Sequence, residues 1–125
     1  MDSTIRGRGD YGLFAWEYNL GRPLFPRSVF DLLINAVRKE MGPQQPLGAI
    51  NLLDVGCGTG GPTRQLYESG FLRIAGIDHD PQMVERANMQ GRSIPYFIAP
   101  VQNLPFSDHS FHVVTTFGGL YWFSQ

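Results

Sequence analysis

The run Leu52-Leu53-Asp54-Val55-Gly56-Cys57-Gly58-Thr59-Gly60-Gly61-Pro62 constrains this chain more than any other feature. An apolar segment too short for a helix passes directly into a glycine cluster, which marks a buried strand ending in a turn. Glycines at such a turn allow backbone conformations closed to other residues and let a ligand approach the main chain. Pro62 then fits the first turn of a helix, where a missing amide costs nothing. The free amides of that first helical turn point back at whatever the loop holds. A strand, a glycine turn and a helix together form the opening unit of an open α/β sheet.

The rest of the chain repeats that rhythm. Ahead of the loop, Val29, Phe30, Leu33, Ile34, Val37 and Met41 fall on one face of a helix predicted over 28–41. Ser28 is expected to cap it and Gly42-Pro43 to stop it. Residues 44–48 read as a linker and 50–55 as the first strand of the unit. A helix follows over 62–68, with Gly70 past its end, and then a second strand over 72–78. Asp80 caps a helix that starts at Pro81, runs to Gln90 and stops at Gly91. Third and fourth strands follow over 94–99 and 111–117. The alternation predicts an α/β fold: a Rossmann-like parallel sheet of about four strands, in the order 3-2-1-4, with flanking helices. Residues 1–17 are polar and glycine-rich and read as a flexible lead-in, with a single domain over 18–125.

Composition narrows the setting. An apolar share of 42% supports a packed core, and no apolar run reaches the roughly eighteen residues of a membrane span. The net charge of −1 argues against a nucleic-acid partner held mainly through phosphates. A single cysteine, Cys57, forms no internal disulfide, and no signal-peptide pattern opens the chain, so a cytoplasmic location is expected.

Glycine spacing alone leaves two ligand classes open. Gly56, Gly58 and Gly61 satisfy the dinucleotide pattern G-x-G-x-x-G, which would imply a nicotinamide-dependent oxidoreductase. Gly56, Gly58 and Gly60 satisfy the alternative D-x-G-x-G-x-G. Asp54 favours the second, because a carboxylate suits the ammonium and sulfonium of S-adenosylmethionine and not a pyrophosphate. Pro62 agrees, since it removes an amide from the helix start that a phosphate site would use. The plain alternative is a tight turn in which Asp54 serves the fold. Asp78, at the end of the second strand and 22 residues after Gly56, is placed to accept from both ribose hydroxyls. Met83, on the next helical turn, is a candidate to lie over an adenine. His79, His109 and His112 lack metal-ligand spacing, so no metal site is expected, and Cys57 reads as a small packing residue.

Three segments in order, 52–60, 76–83 (Gly-Ile-Asp-His-Asp-Pro-Gln-Met) and 103–111 (Asn-Leu-Pro-Phe-Ser-Asp-His-Ser-Phe), resemble the motif regions of small-molecule class I methyltransferases of the ubiquinone/menaquinone-biosynthesis and trans-aconitate type. The lead-in 18–26, Tyr-Asn-Leu-Gly-Arg-Pro-Leu-Phe-Pro, resembles the trans-aconitate branch. The resemblance implies S-adenosylmethionine as cofactor and a small-molecule methyl acceptor. It implies that Gly56, Gly58 and Gly60 surround the methionine moiety and Asp78 holds the ribose. Val101 and Gln102 would edge the adenine, and His79 and Phe117 would complete the cofactor contacts. Tyr18 and Arg22 are the candidate acceptor residues. No catalytic acid or base is required, since methyl transfer from a sulfonium is a displacement that the protein mainly aligns.

The chain departs from the family pattern at Pro100 and His112, where aspartates are usual, and at Tyr121, where a histidine is frequent. The family sheet has seven strands, with the fourth internal. Against that pattern, a chain reaching only Gln125 is expected to leave the fourth strand as an edge, open to self-association or to a partner segment. A non-catalytic methyltransferase-like binding module is therefore the competing expectation.

Overall fold

The structure is a computed structural model that describes residues 3–6, 25–90, 93–100, 106, 110–117 and 120–123. Strand β1 (Ser3–Arg6) comes first, followed by helix α1 (Arg27–Met41) and a 3-10 turn (Leu47–Ala49). The central unit is β2 (Asn51–Val55), α2 (Gly61–Glu68), β3 (Arg73–Asp78), α3 (Pro81–Asn88) and β4 (Tyr96–Ile98). Strands β5 (Val113–Thr116) and β6 (Leu120–Phe123) complete the chain order.

The sheet runs β1-β6-β5-β2-β3-β4. Strands β4, β3, β2 and β5 are mutually parallel, which is the predicted four-stranded core in the predicted order. The expected open edge at the fourth strand is corrected: β6 turns back antiparallel on β5, and β1 pairs antiparallel with β6. The physical reason lies in the connection, since only Phe117, Gly118 and Gly119 separate the two strands and a short glycine-rich link suits a hairpin. The β5 backbone is thereby paired on both sides, which removes the basis for self-association there. Ser3–Arg6 forms a strand within the stretch 1–17 expected as a flexible lead-in.

Both faces of the parallel sheet are covered. On one, α1 contributes Phe30, Leu33 and Val37 to a core with Ile50, Leu52, Leu66, Phe71, Ile74, Val84, Ile94 and Val113. The predicted face of α1 is observed, with Val29, Ile34 and Met41 partly buried against that core. Ser28 does not cap the helix; Pro26 occupies that place without a side-chain bond, and its carbonyl accepts from the Val29 amide at 3.0 Å. On the other face Leu53, Val55, Ala75 and Ile77 pack with Phe106, Phe111 and Val114. Alternation of side chains along each strand splits adjacent residues between the two cores.

Candidate functional site

Strand register assembles the site. Asp54 pairs with Gly76 on one side and Thr115 on the other, so all three lie in one row and share a face. That face is covered by α2. Thr63, in the first turn of α2, donates its hydroxyl to Asp54 Oδ2 at 2.7 Å, and Thr115 donates to Oδ1 at 2.9 Å. Asp54 is 1% exposed, and no cation among the described residues forms an ion pair with it. Burial pushes its carboxyl up to about 7, while the hydrogen bonds from Thr63 and Thr115 pull the other way.

Two residues further along its strand, Asp78 occupies the next row. There the chain of β2 has already turned away. Gly56, Gly58 and Gly60 all hold φ in the left-handed region, at +67°, +57° and +87°, where side chains are strained. The folded loop is tied down at three points: Cys57 N donates to Ile77 O at 3.0 Å, Gly58 N to Asp78 Oδ2 at 2.9 Å and Gly60 N to Cys57 O at 2.9 Å. Asp78 Oδ1 accepts from the Asp80 amide at 2.9 Å. Each carboxylate oxygen retains further lone-pair capacity toward a ligand hydroxyl. Asp80 caps α3 as expected, accepting from Gln82 N at 2.9 Å. Gly56 is exposed and Gly58 and Thr59 half-buried, so the loop presents backbone to solvent beside Asp78.

Other expected residues divide. His79 is beside the loop, exposed, with Nδ1 3.6 Å from Asp78 Oδ1. Met83 is half-buried in the first turn of α3. Phe117 follows the end of β5, and its ring packs on Phe25 at 4.9 Å and Phe30 at 5.5 Å. Its observed contacts are therefore with core aromatics. Val101, Gln102, Tyr18 and Arg22 lie outside the described residues. Cys57 is buried, and its thiol is pushed up to about 12 by burial and by the charges of Asp54 and Asp78, so it packs as a neutral side chain. His112 does structural work: its Nδ1 accepts from the Asn51 amide at 2.9 Å and its own amide donates to Asn51 O at 2.8 Å. Among the described residues no three histidine, cysteine, aspartate or glutamate side chains converge as metal ligands. No described helix is long and apolar enough to cross a membrane.

Three residues absent from the sequence expectations border the site. Thr63 and Thr115 hold Asp54, and Tyr96 lies under the loop. Its hydroxyl would stand 2.6 Å from a Cβ placed on Gly60, and its ring 2.7 Å from one placed on Gly76. Arg64, beside it, donates from Nη1 to the Thr59 carbonyl at 2.9 Å. Only the apolar-to-glycine pairings in the strand register could have hinted at a large side chain above Gly76.

The family model described as a methyltransferase domain matches residues 53–125. The O-methyltransferase cnsE of Penicillium expansum is 38% identical over 66% of this chain and 31% of its own length. The human methyltransferase-like protein 27 is 33% identical over 76% of this chain and 37% of its own. A solved S-adenosylmethionine dependent methyltransferase from Mesorhizobium loti superposes with a TM-score of 0.52 at 27% identity, covering 66% of this chain and 38% of that one. The chain thus spans about a third of the length of these relatives.

Proposed function

Because the chain belongs to the methyltransferase domain family, we propose that it forms the cofactor-binding part of an S-adenosylmethionine-dependent methyltransferase acting on a small-molecule acceptor. The observation that carries this reading is the loop of three left-handed glycines hydrogen-bonded through Gly58 to the Asp78 carboxylate. It sets an open stretch of backbone beside an acceptor for hydroxyl groups. The residues fit the cofactor: Gly56, Gly58 and Gly60 leave room for its methionine end, and Asp78 has lone pairs for its ribose. His79 and Met83 flank that position, with Val101 and Gln102 assigned to the adenine edge. When bound, the cofactor supplies an activated methyl group on a sulfonium.

The chain's own contribution is alignment. Asp54 is enclosed by the Thr63 and Thr115 hydroxyls beneath the loop and, with its carboxyl raised to about 7, is only partly ionised at neutral pH. Tyr18 and Arg22 are assigned to the acceptor, Arg22 as the partner of an acceptor carboxylate. The net charge of −1 supports a small molecule over a nucleic acid, and the lone buried Cys57 supports a cytoplasmic setting. One residue favours the competing reading of a non-catalytic methyltransferase-like binding or interaction module: Pro100, exposed after β4, offers the adenine neither a carboxylate nor an amide.

Thermal unfolding with S-adenosylhomocysteine and with NAD tests the cofactor. At a hundredfold over its dissociation constant a ligand stabilises by roughly 2.7 kcal/mol. A rise in Tm with S-adenosylhomocysteine alone is expected; a rise with NAD alone would overturn the reading.

A further inference from the structure

Tyr96 carries an unexplained polar atom. The residue is 9% exposed, and among the described residues its hydroxyl is a buried side-chain oxygen without a hydrogen-bond partner. Phenylalanine would fill the same apolar space without the cost of stripping water from a hydroxyl. A native orphan of this kind calls for a reason.

Its surroundings supply one. Tyr96 begins β4 level with Gly76 and packs in the helix-side core with Cys57, Val84 and Ala87. From there its hydroxyl reaches the underside of the glycine loop, 2.6 Å from the position a Gly60 Cβ would take. Gly60 is the N-cap of α2 and has no side chain to cap that helix. The Arg64 guanidinium stands 2.8 Å from the same point and is engaged with the Thr59 carbonyl. The hydroxyl is therefore pressed against Gly60, between loop and helix, close to the Arg64 guanidinium and shut off from water.

We propose that the Tyr96 hydroxyl is a positioning group for the glycine loop, its proton without an acceptor while the loop is empty and donated to loop backbone when the loop closes on its ligand. The inference rests on the cofactor reading above. Burial also raises the pKa of the phenol, while Arg64 opposes this both by its charge and as a side-chain donor toward the phenol oxygen, so the proton stays on the oxygen and is the part left without an acceptor. Tyr96 touches no reacting atom; it acts through Thr59 and Gly60.

The test compares wild type with Tyr96→Phe in two measurements, calorimetric affinity for S-adenosylhomocysteine and Tm without ligand. The expected result is an affinity loss of about five- to twenty-fold, the size of one hydrogen bond gained on binding. The unliganded Tm should be unchanged or higher, because the removed hydroxyl had no partner. Equal affinities would overturn the proposal. So would a Tm that falls together with affinity, which would mean the hydroxyl is already bonded in the empty loop. If wild type itself fails to bind, the cofactor reading fails, and this inference falls with it.

Discussion

Strands β2 and β3 lie side by side, each bears an aspartate near its carboxyl end, and the fold uses the two in opposite ways. Asp54 pairs in register with Gly76, one row of side chains below Asp78 on the same face. In the lower row α2 closes over the carboxyl and supplies only the Thr63 hydroxyl, with Thr115 added from β5. In the upper row the glycine loop has turned aside, and the carboxyl meets the amides of Gly58 and Asp80 at the rim. One row along the sheet separates a carboxyl enclosed by two hydroxyls beneath the loop from a carboxyl that anchors the loop through the Gly58 amide. Residue type alone says little about either role; height relative to the turn decides it.

The largest expected effect separates these roles at Asp78. Asp78→Ala leaves the Gly58 and Asp80 amides without their acceptor and takes away the ribose contact proposed above. Charge-assisted hydrogen bonds contribute about 1.5–3 kcal/mol each, so affinity for S-adenosylhomocysteine should fall by about a hundredfold or more. Calorimetry on folded variant checks it, and a loss under threefold would remove Asp78 from the binding site.

Asp54 should show the reverse pattern, with stability moving more than binding. Its folded carboxyl is raised from 3.8 to about 7, so the folded chain holds that proton more tightly than the unfolded chain does. The resulting stabilisation is complete below the unfolded value and is lost as pH rises through about 7. Asp54→Asn removes the ionisation and should flatten that decline, giving a higher Tm than wild type at pH 8. Denaturant titrations from pH 5 to 8 measure the slope; identical slopes in both proteins would show that the carboxyl does not titrate in this window. A concurrent loss of S-adenosylhomocysteine affinity would assign the buried charge to the ligand as well.

The smallest effect concerns the hydroxyls. Thr115→Val keeps the side-chain shape, deletes the donor to Asp54 Oδ1 and should cost about 1 kcal/mol near neutral pH. The pH at which stability declines should move upward, because one of the two bonds favouring the carboxylate is gone. An unchanged profile would mean that Thr63 alone holds the group.

Much of this was readable along the chain because it is local. Gly56, Gly58 and Gly60 announce a sharp turn, since few other residues accept the backbone that the turn requires. Asp80-Pro81 marks a helix start within two residues, and the apolar spacing from Val29 to Met41 marks a buried helical face. Ser28 misled at the same scale: Pro26 had already set an extended entry into α1, so no cap was needed from the serine. The partners of Asp54 were not readable, because Thr63 and Thr115 lie 9 and 61 residues away and meet it only through helix packing and strand register. The hairpin that pairs β5 was hidden for a related reason, since family precedent pointed to missing strands and not to the chain's own tail.

By itself, then, the sequence determined the order of elements, the parallel core and the sharp glycine loop after β2, all of which follow from short-range backbone preference and hydrophobic period. Tertiary structure alone decided which aspartate is enclosed by hydroxyls and which anchors the glycine loop, that Tyr96 lies beneath Gly60, and that β6 and β1 extend the sheet beyond β5. Those outcomes depend on register and on layers closing over one another, where residues far apart in the chain compete for the same few ångströms of space.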